Sequence, residues 1–158
     1  MRLRISFALA LVGGLSALGC APVPAAHLTT PEGFAALEKQ TDYVYRAASA
    51  EGVVVAIRAE ENRPKSTLDF WVGALDQRLR MNRYVADGKA TEARSAAGLT
   101  GKQLRYTRDD QGRSYRFWVT VFVTPERVWV IEAGGDQERF KGSVEEVMKK
   151  AIDSFTID

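Results

Sequence analysis

Apolar and polar residues alternate most regularly between Gly112 and Gly135, where the chain reads GRSYRFWVTVFVTPERVWVIEAGG. Ser114 to Val123 and Arg127 to Ala133 are rich in aromatic and β-branched residues, which fit a pleated, half-buried surface, so both are predicted strands. Thr124-Pro125-Glu126 joins them as a turn, because Pro125 presets φ and has no ladder N–H to give. The alternation sorts the first strand into two faces. Tyr115, Phe117, Val119, Val121 and Val123 form one that is wholly apolar; Ser114, Arg116, Trp118, Thr120 and Phe122 form a mixed one. A hairpin this apolar belongs at the centre of a sheet and needs helices to cover it.

Two helices are available. Leu68, Trp71, Val72, Leu75 and Leu79 recur at helical spacing behind a capping-box-like start at Ser66-Thr67-Leu68-Asp69, and the pattern stops near Met81-Asn82. Phe140, Val144, Val147, Met148, Ala151, Ile152 and Phe155 keep the same period to the end of the chain. Ser143-Val144-Glu145-Glu146 is a second capping box, so that helix starts either near Phe140 or at Ser143. Further strands are expected at Phe34–Leu37, Asp42–Ser49, Val53–Glu60 and Gln103–Arg108, with turns at Ala50-Glu51-Gly52 and Asp109-Asp110-Gln111-Gly112. Tyr84 to Ala96 reads as one edge strand bent at Asp87-Gly88. Gly134-Gly135 reads as the end of the sheet. The sum is an α+β domain: a mostly antiparallel sheet of about six to seven strands with two main helices.

The first residues belong to a different regime. Arg2 and Arg4 precede an apolar run, Ile5 to Leu18, that is shorter than the roughly 20 residues a bilayer span needs, so residues 1–19 read as a secretory signal. Leu15-Ser16-Ala17-Leu18-Gly19-Cys20 resembles the lipobox of bacterial lipoproteins, departing from it in Ala17, where leucine is commonest. Cys20 is the only cysteine, so no internal disulfide is available, and lipidation of Cys20 is expected, with palmitate among the attached chains. Residues 20–32, with APVPAAHLTTP from Ala21 to Pro31, read as a Pro-rich linker reaching at most roughly 40 Å, and the folded domain as residues 33–158. The expected location is the cell envelope, membrane-anchored and facing the periplasm. Ala21 lacks the aspartate that retains lipoproteins at the inner membrane, so the outer membrane is expected in a Gram-negative host.

Loss of the signal changes the charge. The whole chain carries 22 Lys and Arg against 20 Asp and Glu; removing Arg2 and Arg4 leaves 20 of each sign. Global basicity therefore gives no argument for nucleic acid, and none is expected as a partner. Gly101-Lys102-Gln103 is not a P-loop, since Ala96 and Gln103 stand where that motif needs glycine and Ser or Thr. Asp109-Asp110 lacks the oxygen ligands of an EF-hand, and His27, the one histidine, has no companions for a triad or a metal. No catalytic residue, metal or cofactor is expected.

Five pieces carry a family resemblance: Thr30-Pro31-Glu32-Gly33-Phe34, the Leu68–Leu79 helix, Gly101-Lys102-Gln103-Leu104, the strand ending Ile131-Glu132-Ala133, and Ser154-Phe155-Thr156-Ile157. From about Gly33 to Asp158 the chain resembles the PsbP-like family, whose relatives include a photosystem II extrinsic subunit and a Ran-binding nuclear-transport factor. The resemblance implies an α/β/α sandwich used for binding or assembly, without a shared catalytic centre.

The leading expectation is a lipid-anchored, non-catalytic binding or accessory module of the cell envelope, held to the membrane through Cys20 and serving an envelope protein partner. Arg116, Trp118 and Phe122, on the mixed face of the central hairpin, are its candidate binding surface, unless the second helix covers them. A carrier of a small apolar ligand is the alternative. A hydrolase would have to use Glu132 with Glu138 or Asp136, and Glu132 has a competing use as the ion-pair partner of Arg46, Arg58 or Arg105.

Overall fold

A computed structural model describes residues 24–38 and 42–158. The elements run β1 (Ala26–His27), β2 (Phe34–Ala36), β3 (Tyr45–Ser49), β4 (Val54–Glu61), α1 (Leu68–Met81), β5 (Val85–Ala86), β6 (Thr91–Arg94), β7 (Thr100–Asp110), β8 (Arg113–Val123), β9 (Arg127–Asp136), α2 (Ser143–Asp153) and β10 (Thr156–Ile157). An eight-stranded antiparallel sheet has the order β2-β3-β4-β9-β8-β7-β5, with β6 also pairing β7. The expected single edge strand at Tyr84–Ala96 is two: the bend at Asp87-Gly88 is a full interruption, with Gly88 at φ 85°. That split raises the strand count above the expected one.

The central hairpin sits in the middle of the sheet, as its composition demands. Its apolar face meets α1: Val72 packs with Val119, Val121, Val128 and Val130, flanked by Leu68, Trp71, Leu75 and Leu79. Its mixed face meets α2: Trp118, Phe122, Trp129 and Ile131 pack with Met148, Ile152 and Phe155. Both faces are covered, and the architecture is an α/β/α sandwich.

Local chemistry fixes the ends of these elements. The Thr67 side chain caps α1 by accepting a hydrogen bond from the Phe70 N–H at 3.3 Å. Asn62 ties that helix start to the sheet. Its Oδ1 accepts from Ser66 N–H and Trp71 Nε1, and its Nδ2 donates to the Thr124 carbonyl, so a buried amide is fully used. The second capping box does not form. The N-cap of α2 is Gly142, which has no side chain to offer, and Ser143 lies one residue inside the helix, where it cannot cap. Gln111 and Gly112, at φ 49° and 78°, make the two-residue turn between β7 and β8, the double positive φ that matches the twist of a hairpin.

Gly134-Gly135 does not end the sheet; β9 continues to Asp136. These glycines answer a packing need. A Cβ on Gly134 would lie 3.1 Å from the Phe117 ring, and one on Gly135 would lie 3.0 Å from Val53. The linker is also shorter than expected. Ala26 and Leu28 are buried in the α2-side core, and β1 pairs with β10. The Asp158 N–H donates to the Ala25 carbonyl, and His27 Nε2 lies 3.0 Å from Asp158 Oδ2. The folded unit therefore starts near Ala25, not Gly33, and a chain begun at Thr30 lacks one strand of that clasp.

Candidate functional site

The apolar face of β8 is not covered evenly. Val119 and Val121 are buried in one cluster with Val72 of α1, while toward the other end of the strand Phe117, at the edge of that cluster, and Tyr115 are only partly buried. There the surface is concave. A groove of about 410 Å³ crosses β4, β9 and β8, within the range of about 300–1,000 Å³ of small-ligand sites.

The register builds it row by row. Arg46, Ala56, Glu132 and Val119 are successive cross-strand partners; Val54, Gly134, Phe117 and Tyr106 form the next row, and Asp136, Tyr115 and Arg108 the one beyond. Small residues in the middle, Ala56, Val54 and Gly134, make the floor. Large ones make the walls: Tyr43 and Arg46 on one side, Tyr84, Phe117, Tyr115 and Arg108 on the other. Tyr84 packs on Phe117 at 5.2 Å and edge-on to Tyr106 at 6.2 Å. Two guanidinium groups rest on rings at the rims, Arg46 over Tyr43 at 5.6 Å and Arg108 over Tyr84 at 5.3 Å. Glu132, on the floor, is ion-paired with Arg58.

Behind the Tyr84 wall, a polar clasp fastens α1 to β7. The Tyr106 hydroxyl donates to Asp76 Oδ1 at 2.6 Å, and Arg80 Nε donates to both Asp76 oxygens. The Arg80 hydrogen bond, aided by Tyr106 and opposed by desolvation, holds the Asp76 carboxyl below its ordinary 3.8. Burial, then the bond to Asp76, pushes the Tyr106 phenol well above its ordinary 10.0. Because the folded pKa of Asp76 is the lower one, its contribution is complete above pH 3.8 and is lost as pH falls through the folded value. Asp76→Asn is expected to cost about 1 kcal/mol at neutral pH, and the difference from wild type should close below that window. Urea denaturation at a series of pH values checks it; a gap that persists in strong acid would show that the charge is not what counts.

Of the residues singled out by sequence, Arg116 and Glu132 line the groove, and the others fall elsewhere. Trp118 and Phe122 are not a binding surface: they are 4% and 0% exposed beneath α2, against Phe140 and Phe155. Arg116 is half-buried, ion-paired with Glu145 of α2, and reaches the edge of the groove. The hairpin's open surface lies on its other, apolar face. Cys20 lies outside the described residues. The carboxylates do not assemble into a hydrolytic pair: Glu132 is engaged by Arg58, Glu138 by Lys141, and Asp136 Oδ1 accepts the Glu138 N–H at 2.9 Å. Among the described residues no group of three or more His, Cys, Asp or Glu is placed to hold a metal. None of the three tryptophans lines the groove.

No protein-family model matches the chain, and no curated protein matches it in sequence. Solved structures do match in fold. LpqN of Mycobacterium tuberculosis, described as involved in cell envelope biogenesis, is similar with a TM-score of 0.67 at 14% identity, over 89% of this chain and 87% of that one. The cyanobacterial PsbP of Synechocystis sp. PCC 6803 is similar with a TM-score of 0.54 at 13% identity, over 92% of this chain and all of that one. A Bacteroides thetaiotaomicron protein gives 0.55 at 12% identity, with 85% of this chain matching 45% of that one. The fold is therefore PsbP-like, as the sequence resemblance implied. At these identities the likeness defines the architecture and leaves the chemistry to this chain's own residues.

Proposed function

We propose that the protein is a lipid-anchored accessory module of the cell envelope that binds a ligand in the groove beside α1 without transforming it. The groove carries the proposal: a floor of small side chains between walls of tyrosine, phenylalanine and arginine, at the partly covered end of β8. The lipobox at Cys20 supports attachment to the membrane, and the likeness to LpqN, described as acting in cell envelope biogenesis, supports the compartment. An outer-membrane position in a Gram-negative host follows from Ala21 in the same way.

Two measurements in cells test this. Cys20→Ser is expected to abolish labelling by radioactive palmitate and to move the protein out of the membrane fraction. With the anchor intact, a photo-crosslinking benzoylphenylalanine in place of Tyr115 should give an adduct that the same group at exposed Lys149, on the far helix, does not. Palmitate on the Cys20→Ser chain would refute the anchor; equal adducts at the two positions would refute the groove.

A further inference from the structure

We infer that the groove selects a small amphiphile with a flat apolar body and one anionic group, a carboxylate, sulfonate or phosphate, received at Arg108. This rests on the groove being the binding site and adds the charge of its occupant.

The polar inventory of the groove makes the case. Among the described residues no Asn, Gln, Ser, Thr, His or Lys lines it. What remains is guanidinium, tyrosine phenol and two acids, Glu132 and Asp110. Arginine only donates hydrogen bonds and a phenol donates readily, so the walls ask for a ligand rich in acceptors. The charges then sort by partner. Glu132 is neutralised by Arg58, and Arg116 by Glu145. Asp110 faces the same side as Arg108 but is exposed at the hairpin end, across the ladder from Arg113. Asp136, two strands from Arg108 in the same row, accepts the Glu138 N–H. Among the described residues no carboxylate lies within ion-pair distance of Arg108, and only the Tyr84 ring holds it. A half-buried guanidinium fixed on a ring and lacking a counter-ion is arranged to take an anion. Across the sheet from it the floor offers Val54, Ala56 and Gly134, with Glu132 already held by Arg58, and Phe117 leans over Gly134 where a Cβ would intrude. A flat apolar body fits that shelf, and a sugar would find no side-chain amide there.

Two probes with the same ring separate charge from shape: naphthalene sulfonate and its uncharged counterpart, naphthalene methanol. Equilibrium dialysis against the full-length protein in a non-ionic detergent, with protein-free micelles subtracted, reads both affinities. The sulfonate is expected to bind about tenfold more tightly than the alcohol, the worth of one charge-assisted contact. Arg108→Gln should collapse that ratio toward unity, and Arg108→Lys should restore part of it. Val54→Trp, which fills the shelf, should remove both probes, with Val54→Phe as a milder version should the larger ring unfold the chain. A ratio near unity in wild type, with both probes lost in Val54→Trp, would overturn the anionic selectivity and leave the groove as a binding site. Absence of saturable binding, or binding untouched by the Val54 variants, would overturn both.

Discussion

Val121→Asp is expected to leave no folded protein. Val121 is fully buried on the apolar face of β8, flanked by Val130 on β9 and packed in the core cluster under α1. An aspartate there must either bury an unpaired charge or stay protonated, and each costs several kcal/mol against a total stability of about 5–15. Lys102 is its ladder partner on β7, but its ammonium is at the surface with Asp69 of α1, and drawing it inward would break that pair. Val121→Ala is the folded control, expected to lose about 1–3 kcal/mol. Thr120 gives the matching result on the opposite face. It is equally buried and its Oγ1 accepts from Gln103 Nε2 at 3.0 Å, so Thr120→Ala should also destabilise, by about 1–2 kcal/mol. Circular dichroism and chemical denaturation read all three. A native-like Val121→Asp would mean that α1 does not cover this face.

Phe155→Ala is expected to cost about 3–5 kcal/mol, near the limit of what a domain of this size tolerates. Phe155 follows α2 and is fully buried, stacked on Phe122 at 5.2 Å and tilted against Trp129 at 5.9 Å. The cavity left by its ring would open between α2 and the two central strands. It would also loosen the clasp of the chain ends, because the adjacent Ser154 Oγ accepts the Thr29 N–H at 2.8 Å. Urea denaturation should show the midpoint falling well below that of Val121→Ala. A loss under about 1 kcal/mol would show that α2 is dispensable for this core.

The sheet, the helices and their order were legible because each repeats its period over many residues. The strand and helix patterns place Val119, Val121, Trp118 and Phe122 on the correct two faces of β8. Features set by distant contacts were not legible. Gly101 read as the end of a turn, yet it lies within β7; a Cβ there would lie 2.5 Å from the ring of Phe122, its cross-strand neighbour, and in clash with the Val121 carbonyl oxygen. Gly134-Gly135 read as punctuation for the same reason. β1 and β10 are two residues each, too short to show a period, and they pair across nearly the whole chain. The groove was missed because alternation says which face a residue takes, while the packing of distant elements decides how far that face is covered. Tyr115 and Phe117 belong to the most apolar face in the sequence, and they wall the groove because that face is only partly covered there.

The clasp between β1 and β10 sets a standoff. Pro24 lies beside the β8–β9 turn, in a hollow shared with Thr124, Pro125 and Glu126. Between Cys20 and Pro24 the chain reaches at most about 14 Å, a third of the span of a free eleven-residue linker. If Cys20 carries the lipid, the turn at Thr124–Glu126 is thus held close to the bilayer surface. The groove begins at Tyr115, toward the other end of β8, about 27 Å along the strand. The groove therefore opens at the end of β8 away from the tether, so an anchored chain keeps its binding mouth apart from its point of attachment.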